Sequence, residues 1–225
     1  MLPLSLFDQL ARNGVVLVVS AHCDDVALGC GGLLLRGGKF PGVELHSIVF
    51  CGFDPVRVAE ERAAGAAFGL SRQDIFDYRD GSLPEHRTAV REQLLAVREE
   101  IGSSRIALVL GPRLEDRHPD HRLLAENVWR VFRDHLVLEY EIMKYDGDLG
   151  HPNFYVPLSS AIAEAKIAGL MASYPSRTIH RWWHEENFRS LLRVRGVECN
   201  ATFAEGFTAR KLVAGPADES GPVSR

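Results

Sequence analysis

The chain has 225 residues, 46% of them hydrophobic, and a formal net charge of −4. It is long enough to bury a sizeable core, and it has no lysine- or arginine-rich run that would favour nucleic acid or a membrane surface as a partner. We expect a single domain over residues 1–213, followed by a flexible tail over residues 214–225 with the composition AGPADESGPVSR.

Expectations about location and redox state come from two further features. Residues 1–10 lack the basic start and long apolar core of a secretory signal, and no stretch reaches the length of a membrane span. The four cysteines form no C-x-x-C pair, and a chain of this size needs no disulfide. We therefore expect a cytoplasmic protein with reduced thiols that acts on a small molecule.

The first element in chain order is an uncharged run that starts at Val15 and ends at His22, followed by C-D-D at residues 23–25. Continuous β-branched and aliphatic residues predict a strand that is buried on both faces. The next stretch, Ala27–Arg36, has helical spacing and is ended by two glycines. The histidine and the two acids therefore lie in a turn between a strand and a helix.

The middle of the chain continues this alternation. The predicted strands are Glu44–Cys51, Asp74–Tyr78, Arg105–Leu110 and Val137–Lys144, and the predicted helices are Val56–Phe68, Glu85–Ile101 and Leu123–Asp134. Such alternation predicts an α/β, Rossmann-like three-layer fold with a mostly parallel sheet and the strand order 3-2-1-4-5. In that order the first and fourth strands are neighbours, and ligands bind in the crevice between their carboxyl ends.

The last third of the chain is less regular. A loop is predicted over Tyr145–Pro157, helices over Leu158–Ser173 and Arg181–Arg193, and a final strand over Ala201–Val213. The pair Trp182-Trp183 fits core packing, a wall of a substrate pocket or a contact in a homo-oligomer, and aromatic pairs are more often core or interface than sugar platforms.

Two motifs follow the first and fourth predicted strands. His22 and Asp25 are close enough on one turn to hold a metal ion through a nitrogen and an oxygen. The motif H-P-D-H at residues 118–121 follows the fourth strand. Alternatively, the acids cap the first helix and the histidines are exposed at a helix start. The position of both motifs at neighbouring strand ends favours a shared site.

The residue types at this shared site indicate a catalytic zinc centre. His22, Asp25 and His121 would supply two nitrogens and one carboxylate, and three protein ligands leave a fourth position open for water. A thiolate at Cys23 could also bind zinc. Zinc lowers the pKa of bound water to roughly 7, so that hydroxide is available at neutral pH.

The remaining residues of the two motifs suit the steps of amide hydrolysis. Asp24 is not needed for coordination and would act as the general base. His118 would donate a hydrogen bond to an oxyanion and protonate a leaving amine, with Asp120 as its orienting partner. We therefore predict hydrolysis of a carboxamide through a tetrahedral intermediate.

Several motifs together resemble those of the PIG-L/LmbE deacetylases, over roughly residues 14–213. The matching motifs are A-H-C-D-D at 21–25 with G-C-G-G at 29–32, R-V-A-E at 57–60 leading to F-G at 68–69, D-G-S-L at 80–83, H-P-D-H at 118–121 and A-E-G-F at 204–207. The chain departs from the family pattern at Cys23, where a proline is usual, and at Val26, where a glutamate is frequent.

This resemblance implies zinc-dependent removal of the N-acetyl group from an N-acetylglucosamine-type sugar, with another divalent cation such as Fe²⁺ as an alternative metal. It implies the same roles for the residues of the two motifs as those given above. It also implies that Arg57 and Asp80 contact substrate. Without the resemblance, Arg57 would be interpreted as the partner of Glu60 in a surface salt bridge.

Three other functions remain to be compared with deacetylation. An amidase for a larger acyl group would need the same residues and a wider pocket. A sugar- or nucleotide-binding protein could use the same scaffold but would not need Asp24 beside the ligands. A dehydrogenase is disfavoured because the chain lacks G-x-G-x-x-G after the first strand, and the acids there would repel a pyrophosphate.

Overall fold

The computed structural model describes residues 14–213, which form a seven-stranded sheet in the order β3-β2-β1-β4-β5-β7-β6. The strands are β1 Val15–His22, β2 Glu44–Cys51, β3 Arg72–Ile75, β4 Ile106–Pro112, β5 Val137–Tyr140, β6 Phe154–Leu158 and β7 Phe203–Ala209. Strands β1 to β5 pair in parallel, whereas β7 pairs antiparallel with β5 and β6. The predicted fold class and the order 3-2-1-4-5 are confirmed.

Helices cover both faces of this sheet. They are α1 Asp25–Gly37, α2 Pro55–Ala67, α3 Arg87–Ile101, α4 Pro119–Val131, α5 Ser160–Ser173 and α6 Glu185–Glu198. No helix within residues 14–213 is long and apolar enough to cross a membrane. The predicted tail over 214–225 lies outside the described residues, and the single domain over 1–213 stays a prediction.

The central strand β1 has no solvent-exposed side chain before its last residue, as its uncharged sequence predicts. Val16 and Val18 belong to the core that β1 shares with α1, α5 and α6. Val15, Leu17 and Val19 face the opposite core, built with α3 and α4. Because both faces of β1 are covered by apolar side chains, the first polar groups that reach a cleft are those at its carboxyl end.

One predicted loop was wrong. The segment Tyr145–Pro157 ends in β6, whose residues Phe154–Leu158 pair with β7. Pro157, and the glycine, proline, asparagine and aspartate residues before it, are typical of a loop, so the sequence does not indicate a strand here. Proline is tolerated in β6 because this strand lies at the edge of the sheet, where a missing backbone donor leaves no ladder bond unmade.

All six α-helices of residues 14–213 begin one to four residues away from their predicted starts, and for α4, α5 and α6 a capping side chain explains the difference. Helix α4 begins at Pro119 rather than Leu123, and α6 begins at Glu185 rather than Arg181. Each of the three starts just after a side chain that accepts a backbone N–H and so caps the helix. The capping side chains are His118, Ser159 and His184. The other predicted elements overlap the observed ones and differ by a few residues at their ends.

The glycines of the G-C-G-G motif allow α1 to pack closely on its neighbours. A Cβ atom at Gly29 would lie 2.6 Å from ring carbons of Tyr140, and one at Gly32 would lie 2.5 Å from Leu158. The Tyr140 ring is buried, and its hydroxyl donates to Val19 O at 3.0 Å, so it has little freedom to move. The motif therefore serves helix packing.

We predict that Gly29→Ala lowers the free energy of unfolding by about 1–3 kcal/mol, the usual cost of overpacking a core. Urea denaturation measures the change. Gly38→Ala is the matched control, because a Cβ there meets only ordinary contacts of 3.5 Å or more and the backbone is already helical. Equal losses in the two variants would contradict the packing role of Gly29.

Candidate active site

The two predicted motifs meet at the carboxyl ends of β1 and β4. His22 is the last residue of β1, and His121 lies in the first turn of α4, which follows β4. Although 99 residues separate them, His22 Nδ1 lies 3.0 Å from His121 Nε2. The parallel pairing of β1 with β4 brings these two loops together.

Three donor atoms at this meeting point have the spacing of a metal-ligand set. Besides the contact between the imidazoles, His121 Nε2 lies 3.2 Å from Asp25 Oδ2, and His22 Nδ1 lies 3.6 Å from the same oxygen. Ligands at about 2.0–2.1 Å from a tetrahedral zinc ion are roughly 3.3 Å apart. Two imidazole nitrogens and one carboxylate oxygen also match zinc chemistry, so these residues fit the ion.

Other donors lie close enough to share a metal ion with His22. One group consists of His22, His118 and His121, and another of His22, Asp80, His118 and Asp120. In the second group, Asp80 has a side chain that is 75% exposed. Asp120 Oδ2 already accepts the Gly81 N–H at 2.7 Å. These two features make the second group less suited to a fixed metal site than the first three donors.

The carboxylates around the imidazoles favour positive charge at this place. Burial opposes the charged form of His22, but hydrogen bonds with Asp120 and Asp25 raise its pKa well above the ordinary value. Burial likewise opposes charge on His121, and Asp25 and Asp116 raise its pKa to about 9. The negative side chains therefore form a pocket that stabilises a cation.

Asp116 is a site residue that the sequence did not reveal. It is buried, and its Oδ2 lies 2.9 Å from Nδ1 of His121, the nitrogen on the side away from His22. Lys144 Nζ lies 3.0 Å from Asp116 Oδ1. A carboxylate in this position fixes the tautomer and orientation of a metal-binding imidazole. Its place five residues before His121 gives no local sequence signal.

Asp120 has a different partner from the predicted one. Its Oδ2 lies 3.1 Å from His22 Nε2, and Oδ1 accepts Leu83 N–H at 3.0 Å. The carboxylate therefore orients His22 and fastens the turn that carries Asp80, rather than orienting His118. The reason is that Asp120, in the first turn of α4, directs its side chain into the protein, whereas His118 is the N-cap.

His118 contributes one ring nitrogen to the start of α4. Its Nδ1 accepts the Asp120 N–H at 3.3 Å, so the neutral ring carries its hydrogen on Nε2. Nε2 lies 3.6 Å from Asp80 Oδ1 at the mouth of the site. Burial lowers the pKa of His118, and the nearby His22 and His121 lower it further. The ring therefore favours its neutral form, with one N–H donor facing the cleft.

Asp24 is not a helix cap, although it occupies the N-cap position of α1. Its side chain makes no capping hydrogen bond, and its backbone has φ +136°, a conformation that is strained for a residue with a side chain. Instead, Oδ2 lies 2.9 Å from Arg57 Nη2 and 2.7 Å from Arg177 Nε. These are ion pairs by distance, without the angles of well-aligned hydrogen bonds.

The environment of Asp24 shifts its pKa. Burial raises the pKa of this carboxyl group above its ordinary value, Arg177 opposes the rise, and the neighbouring Asp25 adds to it. An acid in these surroundings binds a proton more readily than an exposed carboxylate.

Arg57 is part of this site. Only 15% of its side chain is exposed, and it donates to the Cys23 carbonyl and pairs with Glu60 at 2.8 Å. The Arg57–Glu60 pair therefore exists, but it lies in the wall of the site rather than on an open surface. The Cys23 thiol is buried and lies 3.8 Å from the Cys51 carbonyl.

Arg177, which no sequence motif indicates, lies at this site together with Trp182, one of the two tryptophans for which core packing, a pocket wall and an oligomer contact are the predicted roles. Arg177 lies in a 3₁₀ helix, Pro175–Ile179, and its guanidinium carbon is 5.6 Å from the centre of the Trp182 ring. Trp182 also meets Tyr145 edge to face at 6.2 Å. Trp183, in contrast, is buried in the core. The tryptophan pair therefore divides between the cleft and the interior.

Glu61 is a buried acid behind Asp24. Its Oε2 accepts a hydrogen bond from the Tyr174 hydroxyl at 2.7 Å, whereas Oε1 has no hydrogen-bond partner within residues 14–213. Burial raises the pKa of Glu61 to about 7, the Tyr174 hydroxyl opposes the rise, and Asp24 adds to it. Ionisation of this group therefore costs folding stability near neutral pH.

The family model described as PIG-L: GlcNAc-PI de-N-acetylase matches residues 17–132, which carry both motifs. The chain belongs to the PIG-L family. A comparison with curated protein sequences found no match.

Solved structures with the same fold come from several organisms. N,N'-diacetylchitobiose deacetylase from Pyrococcus horikoshii is 19% identical, with a TM-score of 0.68 over 90% of this chain and 88% of that one. The conserved protein TT1542 from Thermus thermophilus is 25% identical, with a TM-score of 0.70 and coverages of 93% and 98%. GalB, the 4-carboxy-2-hydroxymuconate hydratase from Pseudomonas putida, is 16% identical, with a TM-score of 0.71 and coverages of 90% and 98%. The chitobiose deacetylase and GalB, which are less than 25% identical to this chain, show only that the fold is shared.

We predict that Asp116→Asn weakens zinc binding about 10- to 100-fold, the usual effect of removing a carboxylate that orients a ligand. Competition with a chromogenic chelator measures the dissociation constant. Asp146→Asn is the control, because the Asp146 carboxylate lies 3.7 Å from Lys144 and is partly exposed. If both variants bound zinc as the wild type does, Asp116 would have no such role.

A second prediction concerns pH and Glu61. The pKa of this group is higher in the folded state than the value of about 4.3 in an unfolded chain, so its stabilising contribution is complete below about 4.3 and is lost as pH rises through about 7. Glu61→Gln should therefore unfold much like the wild type at pH 4.5 and be about 3–4 kcal/mol more stable than it at pH 8.

Urea denaturation at the two pH values tests this prediction. Glu99→Gln, at an exposed position of α3, is the control and should leave the pH dependence unchanged. A wild type and a Glu61→Gln variant with parallel pH profiles would refute the prediction.

Proposed function

We propose that the protein is a zinc-dependent deacetylase that removes the N-acetyl group from an N-acetylglucosamine-type amino sugar or its conjugate. The observation that carries the proposal is the donor set of His22, Asp25 and His121, with atoms 3.0–3.6 Å apart beside Asp24 in a PIG-L chain. These three residues would hold the ion. Fe²⁺ also accepts imidazole and carboxylate ligands and is an alternative metal.

When bound, zinc would supply a Lewis acid that makes water acidic enough to be deprotonated near neutral pH. Asp24 would accept that proton as the general base. Both arginines make their closest approach to its Oδ2, so Oδ1 is the oxygen left to receive a proton. The raised pKa of Asp24 suits this role, because a general base is most effective when its pKa approaches the working pH.

His118 would stabilise the charge that develops on the amide oxygen. Its neutral ring carries the hydrogen on Nε2, which lies toward the cleft near Asp80. A fixed N–H donor of this kind stabilises an oxyanion without needing a positive charge. A neutral His118 cannot supply the proton of the leaving amine, because loss of its Nε2 hydrogen would leave an imidazolate anion. Asp24, after accepting the proton of the water, would return that proton to the amine.

Arg57 and Asp80 are the proposed substrate contacts. Asp80 is exposed at the mouth of the site and offers carboxylate oxygens to sugar hydroxyl groups. Arg57 lies deeper, against Asp24. We further propose that the substrate is a small amino sugar and that the protein is cytoplasmic. We also propose that it folds as a single domain and can contact a further copy of itself.

The fold by itself does not determine the reaction, since the hydratase GalB has the same fold. Amide hydrolysis is favoured by the family model, whose description is a de-N-acetylase, and by an acid beside the donor set. An amidase for a larger acyl group would use the same residues. Release of acetate separates these reactions.

We predict that Asp24→Asn lowers the rate of acetate release from N-acetylglucosamine conjugates about 10²- to 10⁴-fold, the contribution of a general base. The assay measures free acetate from a panel of conjugates with metal-loaded protein. Bound zinc should stay at the wild-type stoichiometry, because Asp24 is outside the donor set. Asp134→Asn, at an exposed position, is the control.

Two results would contradict the proposal. If the wild type and Asp24→Asn were equally inactive on every conjugate while zinc bound stoichiometrically, a sugar-binding protein would be the better interpretation. If the wild type released a larger acid but no acetate from matched N-acyl sugars, the protein would be an amidase of different specificity.

A further inference from the structure

We propose that Arg177 is a positioning residue that holds the Asp24 carboxylate in its catalytic orientation, and that Glu60 and Ser176 bring Arg177 to this place. The inference rests on the proposed role of Asp24 as general base. It goes beyond that role because it names the groups that orient the base. Arg177 belongs to none of the motifs that the sequence offered.

Asp24 depends on contacts from other segments for its orientation. Its φ of +136° turns the side chain away from the N–H groups at the start of α1, and no capping hydrogen bond holds it there. The contacts that do hold it are those of Arg57 Nη2 at 2.9 Å and Arg177 Nε at 2.7 Å, both to Oδ2. Two cations on one oxygen fix the carboxylate and leave Oδ1 for the reacting water.

Glu60 connects the two arginines. Its Oε2 accepts from Arg57 Nη1 at 2.8 Å and from Ser176 Oγ at 2.7 Å, while Oε1 accepts from Ser176 N at 2.7 Å. Ser176 immediately precedes Arg177 in the 3₁₀ helix. A single buried carboxylate therefore fixes both the Arg57 side chain and the backbone that carries Arg177. Charge-assisted hydrogen bonds of this length are strong and directional.

Trp182 limits the movement of Arg177 from the other side. The guanidinium lies over the Trp182 ring, with 5.6 Å between its central carbon and the ring centre, and 27% of the Arg177 side chain is exposed. Arginine retains its planar hydrogen-bonding face when it packs on an aromatic ring. The contact with Trp182 therefore favours the conformation that keeps the guanidinium beside the Asp24 carboxylate.

Loss of Arg177 would free the Asp24 side chain to rotate. Only Arg57 would then hold Oδ2, and the carboxylate could turn about its side-chain bonds so that Oδ1 no longer faces the water. Misplacement by about 1 Å is enough to cost on the order of 10² in rate.

The experiment compares Arg177→Gln, Arg177→Ala and Arg177→Lys with the wild type in the acetate assay. We expect Arg177→Gln and Arg177→Ala to lower kcat about 10- to 100-fold with KM within about threefold, because the substrate contacts are unchanged. Added guanidinium should restore part of the kcat of Arg177→Ala, and Arg177→Lys should retain more activity than Arg177→Gln. Arg181→Gln, at an exposed position nearby, is the matched control.

Several outcomes overturn the inference. One is a kcat of Arg177→Gln within twofold of the wild-type value. Another is a rise in KM with kcat unchanged, which would make Arg177 a substrate contact. A loss in Arg177→Ala that guanidinium does not restore, together with reduced zinc stoichiometry, would indicate general structural damage.

A crystal structure of Arg177→Gln separates this inference from the proposed function. If the wild type releases no acetate, the proposed function fails, but the orientation of Asp24 can still be observed. An Asp24 carboxylate that rotates away from its wild-type position supports the positioning role. A carboxylate that stays in its wild-type position overturns it.

Discussion

The parallel pairing of β1 with β4 is the constraint on which the site depends. It places the turn after β1 beside the start of α4, and so brings His22 to within 3.0 Å of His121. The pairing is possible because β1 is apolar on both sides and can occupy the centre of a sheet with helices on each face. The polar residues of the candidate site therefore lie directly after the apolar part of β1.

Electrostatics explains why this meeting point suits a cation. Asp25, Asp116 and Asp120 contact the two imidazoles and favour their charged forms, against the opposing effect of burial. In the absence of another cation, protons would supply the positive charge. A divalent ion would replace those protons, so metal binding and proton release are coupled. The outer carboxylates thus orient the imidazoles and offset the cost of placing charge in a buried site.

The sequence allowed prediction of the features that have local signals. The uncharged run before His22, the alternation of elements and the two histidine motifs gave the fold and the meeting of the loops. Asp116 and Arg177 were not predictable, because their partners come from tertiary contacts between segments without a shared pattern. The sequence predicts Asp120 as the orienting partner of His118, two residues before it. Its helical position instead directs the carboxylate toward His22.

Asp24 and Asp25 are neighbours in sequence, but their surroundings shift the pKa values of their carboxyl groups in opposite directions. Burial raises the pKa of Asp24. It acts in the same sense on Asp25, but there His121 and His22 outweigh it, so that the pKa falls well below the ordinary value. The positive φ of Asp24 separates the two side chains, one toward the arginines and one toward the imidazoles. Paired acids with opposite shifts are a recurring feature of acid–base sites. Backbone strain at one residue thus keeps one carboxylate ionised beside the imidazoles and leaves the other able to take up a proton.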